Sequence, residues 1–129
     1  MKKYESYLPR HKHDFERVNE LKRRESKEIL PLLPFLIEWM QDMNWPIAHD
    51  IAELLLTFPN EIVPLIKDIL AEKDDIWKYW CLEVLMKELP LSVIKQFQAE
   101  LIRLAEEPTD GEKLEELDET AMEILKLLR

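Results

Sequence analysis

Among its 129 residues the chain has one glycine, Gly111, and one cysteine, Cys81. A single glycine leaves no place for phosphate-cradling loops, dinucleotide turns or most tight hairpins, which need glycine where the backbone turns left-handed or approaches a ligand. A single cysteine makes an intrachain disulfide impossible and deprives a cysteine-based zinc site of ligands, so a reducing, cytoplasmic compartment is expected. Long apolar runs are missing as well. The most apolar stretch, Ile29 to Ile37, is broken by Pro31 and Pro34, and Met1-Lys-Lys-Tyr-Glu-Ser-Tyr has charge but no apolar block behind it. Neither a signal peptide nor a membrane span is expected. Strict apolar–polar alternation is scarce, which argues against a sheet.

What the chain does have is 47% hydrophobic and 35% charged residues, the balance of a soluble globular domain. Surface scaling gives roughly 7,000 Å² exposed when folded against about 22,000 Å² extended, enough for one domain over residues 1–129 with a real core. The net charge is -9. Its field repels phosphate backbones and anionic lipid, so nucleic acid and membrane are not expected partners. The charge is uneven: residues 1–28 hold nine basic and six acidic side chains, and the remainder nine basic and twenty-one acidic. The basic residues from Lys2 to Lys27 are interleaved with acids and read as a solvated helix face.

Apolar residues recur at helical spacing, giving about seven helices. The first, near 12–25, carries Phe15, Val18 and Leu21, and Ser26 ends or recaps it. The second, near 28–42, carries Leu32, Leu33, Leu36, Ile37 and Met40 and should be broken or bent by Pro34. A third begins at Pro46, capped by Asn44 or Asp42, and buries Ala48, Ile51, Ala52 and Leu55. Asn60 should cap a fourth that buries Ile62, Leu65, Ile66, Ile69 and Leu70. Asp74 or Asp75 caps a fifth that runs to about Leu89, and Pro90 and Ser92 open a sixth to about Glu106. Thr109 and Glu112 have capping-box spacing at the head of a seventh, with Leu114, Leu117, Ala121, Leu125 and Leu128 as its buried stripe.

An offset of 31 residues aligns Ile51 with Leu82, Leu54 with Leu85, Leu55 with Met86, Pro59 with Pro90, Ile62 with Val93, Ile66 with Phe97 and Leu70 with Leu101. Helices three and four therefore repeat as five and six. A lone hairpin cannot bury its apolar face, so repeated hairpins stack. The expected fold is all-α, a short HEAT-like α-solenoid of stacked helical hairpins; an irregular helical bundle accommodates the same periodicities. Its expected organisation is a flexible segment at 1–13, two hairpin repeats over 45–106 and a capping helix over 109–129.

Two tryptophan-rich turns are the leading candidates for a binding rim. Trp39 and Trp45 flank a connection holding Asp42 and Asn44, and Asp74, Asp75, Trp77 and Trp80 sit one repeat further on. Tryptophan supplies contact area with one N–H donor, and the neighbouring acids and amide supply polar contacts, the mix of interaction hot spots. The same residues serve as helix caps and gap-filling core. Equivalent ends of adjacent hairpins in a solenoid share an edge, which predicts a common rim.

Catalytic signals are weak. His11 and His13 have ligand-type spacing near Asp14 and could hold a metal with a distant carboxylate, but histidines so near an amino terminus read as solvated and no metal is expected. His49 lacks a nucleophile and an oxyanion site to serve. Cys81 reads as a buried, inert thiol.

Trp39-x-x-Asp42-x-Asn44-Trp45-Pro46, Trp77-Lys78-Tyr79-Trp80 and Pro108-Thr109-x-x-Glu112-x-x-Glu115-Glu116 resemble a small bacterial family catalogued only as a domain of unknown function, from about residue 14 to the end. The resemblance implies a compact HEAT-like helical fold and brings no catalytic residue and no cofactor. Analogy with toxin-immunity gene sets adds the idea of an acidic protein masking a basic one. The sequence thus points to a cytoplasmic, non-enzymatic protein-binding scaffold, an immunity or adaptor protein with a basic partner. The rival is a small-ligand protein or enzyme using Asp42, Asn44, His49 and Asp74 or Asp75 in a groove between hairpins.

Overall fold

The computed structural model describes residues 5–129 and is all-α, with no strand among the described residues. Contacts gather into two compact units, one ending at Phe58 and one spanning Pro59–Arg129.

The first unit begins where Asp14 caps α1 (Phe15–Lys22), its Oδ1 accepting from the Arg17 backbone N–H at 3.3 Å. Arg10 grips the same carboxylate through Nε at 2.8 Å and Nη2 at 3.0 Å, and holds Asp14 well below the usual carboxylate range. Arg17 Nη1 donates to the carbonyls of Glu5 and Leu8, the Ile47 N–H donates to the Lys12 carbonyl, and Pro9 is buried. Residues 5–14 are thus tied to elements that follow; residues 1–4 of the segment expected to be flexible lie outside the described residues.

The α2 helix (Ser26–Ile29) is capped by Glu25 in a box with Glu28, so Ser26 is its first residue and not its cap. A 3-10 turn (Leu30–Leu32), α3 (Leu33–Leu36) and a second 3-10 turn (Ile37–Gln41) follow without a gap. Pro31 and Pro34 each sit in the first turn of a new element. That is the break expected at Pro34, which lacks an N–H and whose ring collides with the preceding turn. Leu32, Leu33, Leu36, Ile37 and Met40 are all buried, as are Ala48, Ile51, Ala52 and Leu55 of α4 (Ala48–Leu56). Phe15, placed with Val18 and Leu21 on the inner face, is instead 40% exposed.

In the second unit, α5 (Val63–Leu70) buries Ile66, Ile69 and Leu70, with Ile62 just before it and Leu65 half-buried. Asn60 does not cap it: Ile62 takes that position with no side-chain bond, and Pro64 in the first turn removes one orphan N–H. The α6 helix (Asp75–Trp80) is capped by Asp74 and continues through a π turn (Cys81–Leu85) and a 3-10 turn (Met86–Glu88). Then come α7 (Leu91–Ile94), a 3-10 turn (Lys95–Phe97) and α8 (Gln98–Glu106). Every apolar pair at the 31-residue offset other than the prolines is buried at both members.

The expected seventh helix is two, α9 (Asp110–Leu114) and α10 (Leu117–Leu127). Glu116 lies between them at φ 58, the left-handed region that no helix continues through. The break re-phases the apolar stripe: Leu117, Ala121 and Ile124 are buried, Leu125 and Leu128 half-buried, and Leu114, expected inside, is 81% exposed. The α10 helix packs along α8.

Candidate functional site

In the first unit, Trp39 belongs to the 3-10 turn before α4 and Trp45 to the connection that follows. Both are half-buried, their ring centroids 5.5 Å apart and their planes at 75°, an edge-to-face pair. The connection is braced from within. Asp42 Oδ1 accepts the Asn44 N–H at 2.8 Å, its carbonyl accepts the Trp45 N–H at 3.1 Å, and the Trp45 carbonyl accepts from Ala48 at 3.0 Å. Asp42 and Asn44 therefore do not cap α4, whose cap position is taken by Ile47 without a side-chain bond. An aspartate that satisfies an N–H two residues on holds a turn, and here it orients Trp45.

The indoles line a groove of about 310 Å³ together with Phe35, Leu8, Pro9, Gln41 and Glu38. Phe35 is 49% exposed, and Glu38 is the one ionisable side chain in this lining among the described residues.

The second tryptophan turn lies in the other unit. Asp74 Oδ1 accepts the Trp77 N–H at 3.0 Å, the cap expected there. Trp80 packs edge-on against Tyr79, centroids 5.0 Å apart. Trp77 is half-buried, with its Nε1 sealed from solvent and without a hydrogen-bond partner among the described residues. Asp75 turns away from solvent toward Lys78, Oδ1 to Nζ at 3.0 Å.

That contact opens onto a feature sequence reasoning missed. Lys78 and Glu112 are both buried, Nζ to Oε2 at 2.9 Å, and Arg103 clasps Glu112 with two bonds of 2.9 and 2.6 Å. Glu112 Oε1 also accepts the Thr109 N–H at 2.8 Å, completing the capping box read from the spacing. These donors, Arg103 first, pull the Glu112 carboxyl down to about 2 against the cost of its burial. Gly111 leaves room for the Asp75 carboxylate, which a Cβ there would push aside at Oδ2. A cleft of about 470 Å³ is lined by this cluster with Leu70, Lys73 and Thr109. Within the cluster the Lys78 ammonium is fixed between two carboxylates, and Arg103, which stays partly exposed, adds a third contact to the Glu107 carbonyl at 3.3 Å. The sequence signals were a glycine inside a helix and a lysine set among aromatics, and neither names its partner.

The other candidates are exposed, committed to other partners or buried. His11 and His13 are exposed, with the His13 N–H donating to His11 Nδ1 at 3.2 Å, and Asp14 is committed to Arg10 and to its cap. His49 is exposed on α4. Burial pushes the Cys81 thiol up, as for an inert core residue. No group of three or more His, Cys, Asp or Glu side chains is placed to hold a metal ion among the described residues. No helix among them is long and apolar enough to cross a membrane.

Fold and groove define a small, acidic, all-helical protein with a braced aromatic recess and an ionic cluster around a buried Lys78–Glu112 pair. The chain belongs to the family described as Domain of unknown function (DUF5071), whose model matches residues 7–125. That match takes in both tryptophan turns and the Thr109–Glu112 box. No curated protein matches the chain.

Proposed function

We propose that this is a non-enzymatic protein-binding module of the cytoplasm, an immunity or adaptor protein, and that its partner is a basic protein seated at the Trp39–Trp45 groove. The observation that carries the reading is the pair of half-buried indoles set at 75° and 5.5 Å beside an exposed Phe35. Leaving them accessible at a turn braced by Asp42 costs hydration free energy that a partner recovers, and aromatic anchors in recesses dominate binding energies. The net charge of -9 speeds encounter with a cationic partner. The chemistry of the side chains supports binding over catalysis: the one thiol is buried, and Lys78, the one buried lysine among the described residues, is neutralised by carboxylates.

The test compares tagged wild-type protein with Trp39→Ala and Trp45→Ala, isolated from the native host at low salt and checked by circular dichroism. The reading requires that a co-purifying protein, identified by mass spectrometry, fall at least about tenfold with either folded variant, a loss of roughly 1.4 kcal/mol. Undiminished recovery with both folded variants would refute it.

A further inference from the structure

We infer that the groove of Trp39 and Trp45 recognises an arginine side chain on an extended segment of the partner; this rests on the binding role proposed above for the same groove. Three observations converge. The groove is apolar apart from Gln41 and one charge, Glu38, which makes no ion pair among the described residues. Residues 28–66 contain six acids, Glu28, Glu38, Asp42, Asp50, Glu53 and Glu61, and no lysine or arginine, so the helical segment that carries the groove has no cation of its own to offer Glu38. The nearest cation in sequence to the lining residues Leu8 and Pro9 is Arg10, already held by Asp14 at 2.8 Å and Glu16 at 2.9 Å.

Two indole faces attract a cation through their quadrupoles, and their 75° setting lets a planar guanidinium stack on one ring while its edge meets the other. Glu38 supplies the carboxylate for a charge-assisted bond, and the aliphatic stem of the arginine covers Leu8 and Phe35. A neutral apolar side chain would desolvate Glu38 without a partner, and an acidic one would face a like charge. Lysine, a compact and strongly hydrated point charge, gives up more water and stacks less well.

The test uses the full chain with ¹⁵N-labelled indoles and three acetylated, amidated peptides that carry arginine, lysine or citrulline between two leucines. Citrulline keeps the planar shape of arginine and removes its charge. The arginine peptide should shift the indole N–H resonances of Trp39 and Trp45, bind at least about tenfold more tightly than the citrulline peptide, and exceed the lysine peptide. Glu38→Gln, a change at an exposed side chain, should weaken the arginine peptide several-fold and narrow its advantage over citrulline. Equal binding of arginine and citrulline at those indoles, or no response of those indoles to the arginine peptide, overturns the inference. If the co-purifying partner still depends on Trp45 in that case, the binding reading survives and only the arginine assignment falls.

Discussion

Replacing Glu112 by glutamine removes a charge from the centre of the buried cluster with little change in shape. Its carboxyl is held at about 2 against an ordinary 4.5, by Arg103 first and then by the Thr109 N–H and Lys78. At roughly 1.4 kcal/mol per pH unit, that depression corresponds to on the order of 3 kcal/mol of folding stability. Removing one partner of a buried ion pair costs a similar amount, about 3–5 kcal/mol. Lys78 keeps its second carboxylate, Asp75 at 3.0 Å, so the lower part of the range applies. Because the folded-state value lies below the unfolded one, the contribution is complete above pH 4.5 and vanishes as the pH falls toward 2. Urea unfolding followed by circular dichroism should therefore show Glu112→Gln destabilised by about 3 kcal/mol at pH 7, with the gap closing steadily below pH 4.5. Equal midpoints at pH 7, or a gap that does not change with pH, would show that the cluster does not hold the fold as described.

Gly111→Ala must displace the Asp75 carboxylate, so it should gain less stability than the roughly 1 kcal/mol of helix propensity that the same change gains in an Asp75→Ala background; a double-mutant cycle by urea unfolding reads that coupling, and equal effects in both backgrounds would contradict the contact. Glu116→Gly should add about 1 kcal/mol, because glycine adopts φ 58 without the cost borne by a Cβ, and a lower melting temperature would contradict the left-handed break. Cys81 should resist alkylation by iodoacetamide in the native protein and react on unfolding; native labelling at the rate of a free thiol would contradict its burial.

The sequence carried the helices well because their apolar spacing coincides with burial: all five inward positions read for the second helix, Leu32, Leu33, Leu36, Ile37 and Met40, are buried. It carried the Thr109–Glu112 box because that bond is local, three residues apart. Capping by Asn60, Asp42 or Asn44 failed for a physical reason. Asp42 satisfies the Asn44 N–H within the turn, and α4 and α5 start just after buried Ile47 and Ile62, which leaves Asn44 and Asn60 two or more positions upstream of the cap. The break at Glu116 was illegible because no glycine or asparagine marks it. The Lys78–Glu112 pair spans 34 residues, and nothing local in either segment announces the other. The tryptophan connection was legible as unusual composition, while the perpendicular setting of its rings was not.

The central claim is that the recess beside Trp39 and Trp45 is where another protein binds, and site-specific photo-crosslinking tests it most directly. p-Benzoylphenylalanine would replace Phe35, 49% exposed in the groove lining, and in a second protein Leu91, 57% exposed in the other unit. Irradiation in the native host should join one protein to the Phe35 position, with loss of the adduct on Trp45→Ala and no such adduct at Leu91. A partner captured at Leu91 and never at Phe35 would contradict the account.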